Sequence, residues 1–320
     1  MGKVLPLLPT ARLCVGRQDA VAPPATSAPH GLTADHPGFP AMGNFLRELA
    51  GTLRLTRRRT PNAAAFWELD ALRGIAIVMM VTYHLLFDLD RLIPFTAAIE
   101  HPFLDIYHPF WDLFQKATAY TFVTLAGVSS AVAYHSAAGR TRPPAQRRAR
   151  QYKRGLIVFC WGMVLTLITW LVFRGGAYIQ FGVLHMIGLG LMACAPLLGN
   201  RWLVLATGAL SGTAGLWLSR QTWDGWLADF GFWLGFQPAG YAALDYVPFL
   251  FYFGLFLLGS FLGILRYQGR TPPQVRSRVA QAMPVQWLET LGQHSLAIYL
   301  LHQPVLLAGL LLLSLIVVLL

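Results

Sequence analysis

Hydrophobic positions gather into seven continuous runs, at residues 71–89, 117–137, 155–173, 181–198, 202–219, 247–265 and 296–319, with polar segments between them. A helix crossing a hydrocarbon layer of roughly 30 Å needs about 20 residues, and these runs have about that length. Apolar residues within them are continuous and do not alternate with polar ones, which excludes the ~10-residue alternating strands of a membrane β-barrel. The pattern predicts an all-α fold: a polytopic membrane helical bundle of about seven transmembrane helices.

Composition agrees. Hydrophobic residues make up 55% of the chain and charged residues 12%, where a soluble domain carries about 25% charged residues. The mean hydropathy of +0.50 excludes an ordinary soluble globule. A net charge of +11 in a soluble protein would suggest nucleic acid as partner, but the location of the cations argues against it. Lys and Arg concentrate in the N-terminal tail, in the segment Arg140 to Arg154 and in the segment Arg266 to Arg278. The alternate connections hold few cations and carry acids such as Glu100, Asp105, Asp224 and Asp229. Cations mark the cytoplasmic side, so the N-terminus is expected inside and the C-terminus outside. The lipid bilayer is the expected partner, with no nucleic acid.

Two regions follow: a flexible, basic cytoplasmic tail over residues 1–65, with a Pro/Ala tract at 21–29 and a basic run at 54–59, and a transmembrane domain over 66–320. An alternative start at Met42, ahead of the amphipathic positions Phe45, Leu46, Leu49 and Leu53, would shorten the tail. Cys14, Cys160 and Cys194 show no CxxC spacing, so they are read as small hydrophobes, with neither a disulfide frame nor a metal site.

The first run carries the densest chemistry. Arg73 and His84 are eleven residues apart, about 20° past three helical turns and about 16 Å of rise, so they share a face. His84 then lies about halfway through the bilayer, where an ionisable group is costly unless it faces a polar interior. Asp88 stands one turn further on, at the spacing that lets a carboxylate accept from an imidazole N–H. Such a carboxylate fixes the tautomer and leaves the other ring nitrogen able to take a proton from a hydroxyl or amine. The bland alternative is a histidine satisfied by a backbone carbonyl.

Two further histidines fall inside runs: His185, expected near the outer third, and His302, expected near the inner third. Pro304 frees the carbonyl of Leu300. A polar column of Arg73, His84, Asp88, His185 and His302, lining one cavity open to the cytoplasm, is expected. The outer segment 220–246 sets Trp223, Trp226, Trp233 and Tyr241 beside Asp224, Asp229 and Asp245. Aromatic faces with carboxylates suit a sugar ring, while an interfacial helix is the plainer reading. Histidines on different runs raise axial haem ligation, but no single run carries the two spaced histidines expected for stacked haems.

Leu69-Asp70-Ala71-Leu72-Arg73-Gly74-Ile75-Ala76 with His84 resembles the first-helix signature of the integral-membrane acyltransferase-3 superfamily, and Leu291 to Pro304, containing His302 and Gln303, resembles its closing signature. The pieces Leu125 to Ser130, Phe181 to Gly188 and Asp245-Tyr246-Val247-Pro248 are similar to the bacterial branch related to the catalytic domain of heparan-α-glucosaminide N-acetyltransferase. The resemblance covers about residues 66–310. It implies an acyltransferase, with acetyl-CoA or another acyl-CoA as cytoplasmic donor and no metal. The acceptor would be an extracytoplasmic glycan or lipid-linked sugar, modified on a hydroxyl or amine. His84, Asp88, Arg73, His185 and His302 would form the catalytic set, and Asp70, Gln303, Asp245 and Trp226 the substrate-binding set. His84 would act as base or transient acyl acceptor and Arg73 near the donor.

In the lysosomal member of the family the reactive histidine lies in the first outer loop, where this chain has His101 and His108, with His108 the nearer match. The basic segment Arg140 to Arg154 could attract CoA phosphates or serve only to orient the chain. The plasma membrane, here a bacterial inner membrane, is the expected location, with a homodimer as a possible assembly. The rival function is a transporter or flippase for a sugar or lipid without covalent chemistry, although the Arg73 and His302 motifs do not recur as an inverted repeat would require.

Overall fold

The computed structural model describes residue 51 and residues 66–92, 105–106, 108–174, 176, 178–241, 243–270 and 277–319. Apart from Gly51, the tail expected over 1–65, with Cys14, lies outside the described residues, as does His101.

The helices are α1 (Trp67–Leu92), α2 (Pro109–His135), α3 (Ala137–Arg140), α4 (Pro144–Val172), α5 (Val183–Cys194), α6 (Arg201–Leu218), α7 (Trp226–Gly231), α8 (Phe249–Tyr267), α9 (Arg278–Gln281), α10 (Met283–Gln293) and α11 (Ser295–Leu319). Among the described residues β-structure is limited to two isolated bridges, Phe181 with Tyr246 and Trp223 with Pro238. Each of the seven apolar runs carries a helix. Trp67–Asp90, Pro144–Val172, Phe249–Tyr267 and Ser295–Ile316 are long and apolar enough to cross a membrane, and Val183–Cys194 is a shorter apolar helix. The protein is a helical membrane protein.

Helix ends follow local chemistry. Glu68 and Asp70 sit in the first turn of α1, where a carboxylate meets the positive end of the helix dipole. The His108 side chain caps α2 by accepting from the Phe110 N–H, ahead of Pro109 in the first turn. Helix α2 therefore starts eight residues before the apolar run. Asn200 caps α6 by accepting from Trp202 N–H (3.0 Å) and Leu203 N–H (3.3 Å).

Lipid tails are as apolar as leucine, so helices inside a bilayer associate by close packing and small residues are favoured at their contacts. The main crossings here are made in that way. At α2 and α8, a Cβ on Gly127 would strike the Phe256 carbonyl and one on Gly259 would strike the Thr124 carbonyl. At α6 and α8, Gly215 lies against the Phe251 backbone and Gly254 against Gly212. At α4 and α5, Gly155 meets the Gly188 carbonyl. Around these crossings Val123, Phe181, Met186, Phe253, Phe256 and Leu257 form the main buried core. Leu167, Leu171, Leu210, Leu311, Leu312 and Leu315 are exposed, forming the apolar outer surface of a bundle whose solvent is lipid.

The last crossing was not anticipated. Helix α10 lies along the first half of α1, with Gly74 against the Leu288 carbonyl and Gly292 against the Asp70 carbonyl. The chain between the sixth and seventh runs, expected to be a connection, thus contains a packed helix. Helix α11 starts only after α10 has run beside the first half of α1, and His302 sits beside His84.

Because the Cβ of alanine at Gly292 would fall on a backbone atom that cannot rotate away, Gly292→Ala is expected to destabilise the fold by about 1–3 kcal/mol, the usual range for overpacking. Thermal unfolding in detergent should show this loss, together with a loss of activity. Alanine at the exposed, uncrowded Gly199 should change neither.

Candidate active site

Partway along α1 and early in α11, two imidazoles meet edge to face. The rings of His84 and His302 are 4.8 Å apart, centroid to centroid, and inclined by 77°. His84 Nδ1 is 2.9 Å from the Met80 carbonyl and His302 Nδ1 is 2.7 Å from the Tyr299 carbonyl. A carbonyl only accepts, so both neutral rings carry their proton on Nδ1 and present a lone pair at Nε2. His302 Nε2 is buried with no hydrogen-bond partner. Two basic nitrogens therefore stand at one depth, each held in a single tautomer by its own helix backbone.

The pairing of Asp88 with His84 expected from their spacing is replaced by another. The orienting acceptor on His84 is the Met80 carbonyl, and Asp88 instead receives Gln303 Nε2 on both oxygens, at 2.8 and 2.9 Å. The cause is tertiary: α11 lays Gln303 across the carboxylate, while an i to i−4 carbonyl is always within reach of a helical histidine. Asp88 is 4% exposed and stays within electrostatic reach of His84. Gln303 Oε1 is buried and unpartnered.

Tyr299, a residue the sequence reading did not single out, joins this group. It interacts electrostatically with the Asp245 carboxylate, which lies within electrostatic reach of His84. The available signal was spacing, since Tyr299 stands three and four residues before His302 and Gln303 and shares their helix face. Asp245 also accepts from the Val183 N–H at 3.1 Å, which ties the start of α8 to the start of α5. Val247 N–H reinforces the tie by donating to the Phe181 carbonyl at 3.0 Å. Burial pushes the Asp245 carboxyl above the usual carboxylate range, against the opposing effects of the Val183 N–H and of His84.

His185 does not join the histidine pair. It is 2% exposed, accepts from the Gly182 N–H at Nδ1 (3.2 Å) and faces the Thr166 hydroxyl at Nε2 (3.2 Å). A backbone N–H only donates, so this ring carries its proton on Nε2. Phe181 stacks beside it at 5.6 Å and Gly162 packs against its face. Its visible work is to cap α5 and join α5 to α4.

Arg73 occupies a third position, near the N-terminal end of α1. It pairs with Asp70 at 2.5 Å and donates to the Ser129 hydroxyl, which itself donates to the Leu125 carbonyl. Asp70 is buried and so serves Arg73 directly. The five residues expected to line one cavity are thus distributed: His84, Asp88 and His302 together, Arg73 toward the start of α1, and His185 against Thr166. Trp226 stands exposed at the start of α7, outside the buried cluster. Tyr241 donates to Gln180 at 2.8 Å, and burial pushes the Tyr241 hydroxyl up to about 12. His108 is an exposed helix cap.

The sequence between residues 66 and 304 matches the family model described as heparan-alpha-glucosaminide N-acetyltransferase, catalytic. The chain belongs to this family. No curated protein and no solved structure matches it. The matched region contains the Gly74 and Gly292 contact, the Arg73 group and the histidine pair, and it ends at Pro304 within α11. Acetyl transfer is the general activity of the family. Among the described residues, no group of three or more His, Cys, Asp or Glu side chains is arranged to hold a metal ion.

Replacing Gln303 by leucine removes both N–H donors from the buried Asp88 carboxylate, and an unsatisfied buried charged group costs at least about 1–3 kcal/mol. Gln303→Leu is expected to lower the unfolding temperature in detergent. The double variant Asp88→Leu with Gln303→Leu should recover part of that loss, and a double-mutant cycle measures the coupling.

Proposed function

We propose that the protein transfers acetyl from a cytoplasmic CoA thioester to a hydroxyl or amine of an extracytoplasmic sugar, with the reacting groups meeting at the His84 and His302 pair. The observation that carries this reading is the edge-to-face contact of the two rings, each Nδ1 held by a carbonyl and each Nε2 left as a base. Family membership supports acetyl as the group moved.

In this mechanism the acceptor oxygen or nitrogen attacks the thioester carbonyl carbon while its proton passes to His84 Nε2. The C–S bond then breaks, and the CoA thiolate leaves with the proton held by the imidazolium. His302 Nε2 accepts a hydrogen bond from the imidazolium and so stabilises the charge that develops on His84 in the transition state. Arg73, fixed by Asp70 and Ser129, sits toward the donor side.

A seven-span arrangement in the plasma membrane, N-terminus inside and C-terminus outside, accompanies this reading. It is supported by the basic residues at the start of α4 and the end of α8, and by the hydrogen bond from Tyr267 at the end of α8 to Glu68 at the start of α1.

Purified protein in detergent should move labelled acetyl from acetyl-CoA to an amino-sugar or hydroxyl-bearing glycan. Loss of a general base typically costs 10²–10⁴-fold, so His84→Ala should reduce turnover by about that factor while leaving the fold intact. His302→Ala should give a smaller loss, on the order of tenfold. Wild-type turnover in His84→Ala would reject the mechanism.

A further inference from the structure

On the face where the basic segments gather, the end of α2, the short α3 and the start of α4 enclose a cavity of about 80 Å³. Arg142, Arg147, Arg150 and Arg154 line it with Tyr134 and Gln151, and its lining contains no acidic residue. Arg147 lies over the Tyr134 ring at 5.0 Å and donates to the Arg142 carbonyl at 3.2 Å, so part of the cationic wall is held in place by the fold. Four arginines gathered around one small volume make it electropositive, which favours an anion there.

Gln151 narrows the chemistry. It is 2% exposed, its Nε2 donates to the Ser130 carbonyl at 2.9 Å, and its Oε1 is buried with no partner. The Ser130 bond fixes which end of the amide faces away from that carbonyl, and the unpartnered end is an acceptor. An amide oxygen does not bind a phosphate oxygen; it requires a hydroxyl or N–H. Gln151 lines the cavity with the arginines, so the cavity matches an anionic group with a hydrogen-bond donor beside it, in a space that admits a phosphate.

We propose that this pocket binds a phosphate group flanked by a hydroxyl. The pocket stands on its own geometry, and its assignment to the donor rests on the acetyl-CoA reading above. The ribose 3′-phosphate of CoA, beside a 2′-hydroxyl, has this pattern. The glycerol phosphate headgroup of an anionic lipid has it too.

The test uses the full chain in detergent and in nanodiscs. Wild-type protein should bind CoA at least tenfold more tightly than dephospho-CoA, measured calorimetrically. Arg150→Gln with Arg154→Gln, two exposed positions, should abolish that difference while leaving dephospho-CoA affinity unchanged. Adenosine 3′,5′-bisphosphate should compete with CoA in the wild type and fail to compete in the variant. If CoA and dephospho-CoA bind equally, but nanodiscs containing phosphatidylglycerol stabilise the wild type over the variant and phosphatidylcholine nanodiscs do not, the phosphate site stands and its source is lipid. If neither CoA nor dephospho-CoA binds while adenosine 3′,5′-bisphosphate still does, the acetyl-CoA reading fails and the pocket survives. If the charge variant matches the wild type toward the bisphosphate, CoA and phosphatidylglycerol alike, the pocket is overturned.

Discussion

The contact between α1 and α10 decides where the histidine pair sits. Gly74 and Gly292 let the two helix backbones touch, each glycine lying against a carbonyl of the other helix. In a bilayer no hydrophobic effect pushes such helices together, so the approach rests on dispersion and on the absence of side chains at the crossing. Once α10 is held there, α11 can begin only beyond it, and the register of α11 against α1 follows. Tyr299, His302 and Gln303 then reach the level of His84 and Asp88. A different residue at either glycine would change the depth at which two distant parts of the chain meet.

That register also solves an electrostatic problem. An isolated carboxylate or imidazolium in the middle of a membrane is expensive, and four ionisable groups, Asp88, Asp245, His84 and His302, lie close together here. The protein meets this with neutral partners: Gln303 on Asp88, Tyr299 on Asp245, and backbone carbonyls on both histidines. None of these partners is a cation, and the His302 Nε2 is buried with no hydrogen-bond partner. The unpartnered His302 Nε2 and Gln303 Oε1 are the sites where a bound hydroxyl or amine would find an acceptor.

The motif pieces along the chain acquire separate physical reasons. Asp70, Arg73 and Ser129 belong to one hydrogen-bonded group, which explains why the first-helix signature and Leu125 to Ser130 occur together. Phe181 to Gly188 and Asp245 to Pro248 belong together because Phe181 bridges Tyr246 and Asp245 caps α5. The closing signature contributes both Gly292, which packs against α1, and His302, which meets His84. Packing and chemistry thus share the same short segments, and a match to those segments reports both.

The membrane class and the helical content were legible in the amino-acid order, because hydropathy and helical periodicity act over one or two turns. Asp88 was legible as a buried carboxylate, yet its partner was not, because Gln303 lies 215 positions away. His185 looked equivalent to His302 in an apolar run, and only the neighbouring helices make one a cap and the other half of a pair. Helix α10 was hidden because its amphipathic stretch is short and its role depends on two glycines meeting carbonyls across a gap that no local pattern encodes. Local order determined which residues can be helical and which must avoid lipid. The choice of partners was left to tertiary packing, since hydrogen bonds and close backbone contacts depend on distances between helices that the chain sets only when all of them are assembled.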